Sequence, residues 1–124
     1  HYPSLNIYGH ADGVFGDYVV ELKGIGKASF LKLRKPLKEH VRQVLCYMIA
    51  LNIPRAIFVY LCRDDGEMQE FHIAYDHEIF MEVVRRIGVV EGYIARGELP
   101  PADAPDYRCK ACKYEYACKP YNIR

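Results

Sequence analysis

The sequence predicts an α/β domain: a mixed β-sheet with helices packed on it. Three observations carry this expectation. The apolar spacing alternates between strand and helix periods in the order strand, strand, helix, strand, strand, helix. Turn and cap residues fall between those segments, at Gly16-Asp17, at Asn52 with Pro54, and at Asp64-Asp65-Gly66. The composition, 51% hydrophobic and 27% charged, is that of a globular chain and not a disordered one.

The elements follow in order. Residues 4–12 and 18–23 read as two strands of a hairpin closed by Gly16-Asp17. Counting outward from that turn pairs Phe15 with Tyr18, Val14 with Val19, Gly13 with Val20, and Asp12 with Glu21. Strand alternation places His10 and Lys23 on the face of Asp12 and Glu21. The opposite face carries Ile7, Ala11, Val20 and Leu22, which suit a core. Residues 24–35 read as a loop or irregular segment, with Gly24 and Gly26 allowing a sharp exit from the strand. Pro36 then opens a helix that runs to about Leu51, with Leu37, Val41, Val44 and Met48 on one stripe. Asn52 and Pro54 end it.

Residues 55–63 are rich in β-branched and aromatic side chains and read as a buried strand. The Asp64-Asp65-Gly66 turn leads to a partner strand over 67–75. Residues 77–96 form a long amphipathic helix whose apolar face is Phe80, Val83, Val84, Ile87, Val90 and Ile94. Gly97, Pro100, Pro101 and Pro105 mark a linker, and the stretch 107–120 is dense in Cys, Tyr and Lys. Residues 1–96 are therefore expected to form the core, and 97–124 a linker and Cys-rich tail packed on the same domain. No internal repeat is present.

Composition narrows the function classes. No apolar run approaches the roughly 20 residues of a membrane span, and neither a signal peptide nor a transit peptide is evident. Five cysteines, an odd number, fit a reducing compartment better than a disulfide framework. The chain begins at His1 near a strand, so a piece of a longer product is expected, with its N-terminal part missing. The net charge of +1 is not that of a general nucleic-acid binder, but the charges segregate. Lys23, Lys27, Lys32, Arg34, Lys35, Lys38 and Arg42 face only Glu21 and Glu39 within residues 21–42. Residues 108–124 hold five basic residues against Glu115, while residues 64–82 hold seven acidic residues and no Lys or Arg. Two basic segments flanking the hairpin can attract a phosphate backbone; ordinary solvated faces are the alternative.

The hairpin carries the chemistry. Asp12 and Glu21 would face each other across the strands, where like charges repel. A divalent cation removes that repulsion, since Mg2+ and Mn2+ prefer carboxylate oxygens. With the backbone carbonyl of Leu22 as a third ligand, such a cation suits phosphodiester hydrolysis. Lys23 would orient or deprotonate the water, or stabilise charge on the phosphate. His10 lies beside Asp12, either touching the metal or the phosphate, or standing at a strand edge. An exposed hairpin with scattered charges is the bland alternative to the whole set.

His40, Gln43 and Tyr47 share one stripe of the first helix, so they can edge that site and hydrogen-bond to DNA. A polar flank with Tyr47 on the core is the competing reading. Cys109-x2-Cys112-x5-Cys118 forms much of a metal or cluster site. Cys46 and Cys62 suit small core positions, so the fourth ligand is not identified.

Together these features resemble the PD-(D/E)XK nuclease superfamily, in its RecB-like iron–sulfur branch. The match consists of Gly9-His10-Ala11-Asp12-Gly13, Glu21-Leu22-Lys23, the Gln43-x3-Tyr47 helix that includes His40, and Cys109, Cys112 and Cys118. It covers nearly the whole chain, and looks most like small CRISPR-associated exonucleases and their phage-encoded relatives. The resemblance implies a restriction-endonuclease-like fold and a metal-dependent exonuclease, acting on single-stranded DNA in recombination, replication or CRISPR adaptation. Asp12, Glu21 and the Leu22 carbonyl would hold Mg2+ or Mn2+, and Lys23 would be the catalytic lysine. Gln43 and Tyr47 would position DNA and the catalytic groups, with His40 and Lys27 as further DNA contacts. Cys109, Cys112 and Cys118 would hold a [4Fe–4S] cluster, with zinc as the other occupant. A helicase, recombinase or CRISPR integrase would be the partner, in a prokaryotic or phage-infected cytoplasm. The family's upstream cysteine and histidine have no clear counterpart in this chain. The other readings are a structure-specific endonuclease, and a non-catalytic DNA-binding module stapled by a cysteine-bound metal.

Overall fold

The computed structural model of the protein describes residues 7–118. Positions 4–6 of the first expected strand, and the last six residues of the basic tail, lie outside the described residues. The elements are β1 (Gly13–Phe15), β2 (Tyr18–Ile25), α1 (Lys27–Lys32), α2 (Lys38–Leu51), β3 (Arg55–Cys62), β4 (Met68–Ala74), α3 (His77–Arg96), α4 (Asp106–Lys110) and α5 (Glu115–Cys118). Two compact units are present, one reaching Val84 and the other starting at Arg85, so the division falls within α3.

In the first unit the strands form a mixed sheet in the order β1-β2-β3-β4. β1 and β2 are antiparallel, with Gly13 opposite Val20, Val14 opposite Val19 and Phe15 opposite Tyr18, the register expected from the turn. Gly16 supplies the positive φ of 59° that the first position of this tight turn requires. β2 and β3 are parallel, from Val19–Ala56 to Ile25–Cys62. The connection between them contains α1 and α2, because a parallel crossover needs a long return path. β3 and β4 are antiparallel across the Asp64-Asp65-Gly66 turn, where Gly66 has a φ of 78°.

Three expectations need correction. The first strand is only three residues long, and residues 7–12 are not strand. Residues 24–35 are not irregular throughout: β2 continues to Ile25, and Lys27–Lys32 is helical around a buried Phe30. The buried face of β2 is also the opposite of the one expected. Val19 and Glu21 are buried, whereas Leu22 is 59% exposed. The physical reason is the position of α2, which lays Val44, Leu45 and Met48 against Val19, Ala56, Phe58 and Tyr60. Alternation then carries Glu21 inward with Val19 and turns Leu22 outward. Ala11 does pack on this core, as expected.

Asn52 ends α2 in the left-handed conformation at φ 55°, and the following N–H, that of Ile53, donates to the Met48 carbonyl at 2.9 Å. Helix α3 begins with Asp76 accepting from the Ile79 N–H at 3.2 Å, a capping interaction, and buries Phe80. In the second unit, Arg86 pairs with Asp103 at 2.7 Å, and two short helices carry Cys109 and Cys118, with Cys112 between them.

Candidate active site

The site grows from the end of the β1–β2 ladder. Beyond Val20 the ladder stops, and Asp12 sits beside β2 without being part of β1. Its backbone N–H donates to Glu21 Oε1 at 3.0 Å. Its carboxylate Oδ2 accepts the Leu22 N–H at 2.8 Å. The Asp12 side chain therefore replaces the strand partner that β2 lacks at this point. In an extended strand the N–H and C=O of one residue point to the same edge. The Leu22 carbonyl accordingly faces the edge on which Asp12 stands.

Glu21 is the one polar residue buried among the described residues, at 2% exposure. Burying a carboxylate is costly unless it is paired and hydrogen-bonded. Here Oε1 takes the Asp12 N–H, and Oε2 lies 3.5 Å from Lys23 Nζ. Lys23 Nζ also donates to Gln43 Oε1 at 2.7 Å, and Gln43 Nε2 donates to the Tyr47 hydroxyl at 3.1 Å. The two bonds fix which end of the Gln43 amide is which. An ammonium has three protons, so one remains for a group outside this network.

Gly9 explains how Tyr47 comes so close. A Cβ at Gly9 would meet Cε1 of Tyr47 at 2.7 Å, closer than side-chain atoms approach. The glycine of the Gly-x-x-Asp segment thus lets the chain pass over the ring of the Gln-x-x-x-Tyr helix. Asp12, Glu21, Lys23, Gln43 and Tyr47, read separately in the sequence, form one connected constellation.

His40 stands at its border, one turn before Gln43 on α2. Its Nδ1 lies 2.7 Å from the hydroxyl of buried Tyr60, and that hydroxyl accepts the Leu37 N–H at 3.1 Å. With the oxygen already accepting from Leu37, its proton is directed to Nδ1, which leaves the histidine proton on Nε2. Desolvation first, then the charge of nearby Lys23, holds His40 below its ordinary value and favours this neutral form. The sequence marks Tyr60 only as part of a buried strand. Its aromatic type gave no hint of the two polar groups it serves.

Two other expected site residues lie elsewhere. Lys27 is committed within the fold: its Nζ pairs with Asp65 at 3.1 Å, and its N–H donates to Asp64 at 2.7 Å. His10 is exposed, and among the described residues no three His, Cys, Asp or Glu side chains gather to hold a metal. The oxygen donors that stand beside one another are the carboxylates of Asp12 and Glu21 and the Leu22 carbonyl. That set fits a hard divalent cation such as Mg2+ or Mn2+, which keeps several waters of its own.

In the second unit, Cys109, Cys112 and Cys118 line one cavity of about 610 Å³. The Cys109 thiol approaches the Ala104 carbonyl at 3.8 Å, and Cys112 Sγ accepts the Tyr114 N–H at 3.4 Å. All five cysteines are free thiols. Cys62 is a buried core residue and Cys46 is half-buried, as small core thiols are. Three soft sulfur donors are of the kind that hold iron–sulfur clusters or zinc, but although they line one cavity they are not gathered into a metal-holding group among the described residues.

No helix among the described residues is long and apolar enough to cross a membrane. No protein-family model and no curated protein matches the chain. Among solved structures it is similar to the crystal structure of SSO0001, with 19% sequence identity and a TM-score of 0.54, over 82% of this chain and 44% of that one. At that identity the likeness is one of fold alone, and this chain spans less than half the length of its structural neighbour.

Proposed function

We propose that the protein is a metal-dependent deoxyribonuclease of the PD-(D/E)XK type, with a restriction-endonuclease-like core, that degrades single-stranded DNA from an end. The observation that carries this reading is the connected set Asp12, Glu21, Lys23, Gln43 and Tyr47. A binding module has no evident need for two carboxylates beside one another with a lysine tethered over them.

Asp12, Glu21 and the Leu22 carbonyl would hold Mg2+ or Mn2+. When bound, the cation supplies charge neutralisation at the phosphoryl oxygens and acidifies water. The chain's own residues do the rest. Lys23 hydrogen-bonds through its uncommitted N–H to the attacking water, orienting it, or to a phosphoryl oxygen, whose developing charge it stabilises. Gln43 holds the ammonium in place, and Tyr47 holds Gln43, so the lysine enters the reaction without reorganising. His40, neutral with its proton on Nε2, is a directed donor for a neighbouring phosphate or sugar oxygen. The three cysteines would hold an iron–sulfur cluster or zinc within the second unit.

The test is Mn2+ binding followed by cleavage. Wild-type protein is expected to bind Mn2+ in a calorimetric titration and to release nucleotides from single-stranded DNA. Asp12→Asn should lose both. Cleavage undiminished in Asp12→Asn, or in a chelator, would overturn the assignment.

A further inference from the structure

The segment joining α1 to α2 encloses a surface hollow of about 410 Å³ that the active-site network does not use. Its rim carries Lys32, Arg34, Lys35 and Lys38, with Ser29 beside them and no carboxylate among its lining residues. Arg34 is anchored, its Nη1 donating to the carbonyls of Leu31 at 3.0 Å and Leu33 at 3.1 Å. This fixes the guanidinium plane and leaves its other N–H groups for an outside acceptor. Lys32, Lys35 and Lys38 form no ion pair with a carboxylate among the described residues. Lys27, by contrast, is paired with Asp65. The segregated positive charge of this part of the chain is thus concentrated at the hollow.

The hollow is placed to serve the site. Lys38 is the first residue of α2, and Gln43, which holds Lys23, follows five residues later on the same helix. Five residues turn the two about 140° apart around the helix axis, so the link runs through Leu37, which lines the hollow and donates its N–H to the Tyr60 hydroxyl that meets His40 at the border of the site. We infer that this hollow is a second phosphate-binding site, which grips the backbone of a single-stranded nucleic acid beside the bond to be cut. The inference rests on the nuclease reading for its ligand. It replaces Lys27 with Lys32, Arg34, Lys35 and Lys38 as the contacts that track the strand. A fixed guanidinium suits a phosphate's geometry, and the lysines act as point charges around it.

The experiment measures binding of a labelled single-stranded oligonucleotide across a salt series, in Ca2+ or without metal. It compares wild type, the exposed double variant Lys32→Ala/Lys35→Ala, and Lys27→Ala. Each phosphate contact on a single strand contributes about 0.7 to the slope of log K against log salt. The double variant should bind about tenfold more weakly at low salt and lose about 1.4 from the slope. Lys27→Ala should keep most of both. An unchanged slope in the double variant, with wild-type binding intact, overturns the second site and leaves the nuclease reading standing. An equal loss in Lys27→Ala overturns it too, because the effect is then general charge. The expected slope change in a protein that never cleaves supports the hollow and contradicts the nuclease reading. Absence of wild-type binding contradicts both.

Discussion

Lys23 and Gln43, twenty residues apart in the chain, meet at 2.7 Å between Nζ and Oε1. One comes from β2 and the other from α2, so the contact exists only when the helix lies on the buried face of the sheet. Core packing and site assembly are the same event here. Gln43→Ala should leave the fold intact, because Gln43 is exposed, yet free the ammonium from its place. A loss of about 10²-fold in kcat is expected for a misplaced catalytic group. Steady-state kinetics beside a thermal melt checks this: a normal kcat in a folded variant would contradict the positioning role.

The His40 ring reports on the same network without any turnover. Lys23 depresses its titration, together with desolvation. Lys23→Ala should therefore raise the His40 titration toward the ordinary histidine value. Glu39, the other charge acting on the ring, raises it already and stays in place. Because the folded value lies below the unfolded one, the unfolded chain binds the proton first as pH falls. Stability from this group is thus complete above the unfolded value and declines as pH drops toward the folded one. Nitrogen NMR of the imidazole should find the proton on Nε2 near neutral pH, and Tyr60→Phe should weaken that preference. A ring protonated on Nδ1 in the wild type would refute the Tyr60 assignment.

Gly9 and Tyr47 predict a coupled pair. A Cβ at position 9 must move the Tyr47 ring, so Gly9→Ala should cost about 1–3 kcal/mol through overpacking. Shortening the ring's side chain with Tyr47→Val should relieve part of that cost, giving a non-additive double-mutant cycle. Additive denaturation midpoints would show that the two residues do not press on each other.

Asp65 offers a pH test away from the site. The Glu67 N–H, the Cys62 side chain and the Lys27 ammonium hold its carboxylate down at about 2, against an ordinary 3.8. Its contribution to stability is therefore fully present above the ordinary value and lost as pH falls toward about 2. Urea midpoints of wild type and Asp65→Asn should differ near pH 6 and converge at the acid end. A constant gap across that range would rule out ionisation as the cause.

Much of this was legible in the residues. Gly16-Asp17 alone set the hairpin register, because a two-residue turn leaves one way to count outward. The mixed sheet, the C-terminal end of α2 and both ends of α3 followed from periodicity and from Asn52, whereas α2 begins at Lys38 and not at Pro36. The buried side of β2 was not legible. Val19 and Val20 are equally apolar, and only the tertiary position of α2 decides between them. The inward turn of Glu21 is a burial that composition argues against, and its partners come from Asp12 and Lys23. Short helix α1 was hidden by Gly24 and Gly26 just ahead of it and by its length of six residues. The commitment of Lys27 to Asp65 was likewise invisible, since it depends on the β3–β4 turn folding beside α1.

The most direct test of the account is cleavage of end-labelled linear single-stranded DNA in Mn2+, beside a circular substrate and a Lys23→Ala control. The linear strand should be degraded and the circle left intact, with a loss of about 10²–10⁴-fold in the variant and DNA binding preserved. Full activity in Lys23→Ala would contradict the active site described here, and cutting of the circle would contradict an end-dependent enzyme.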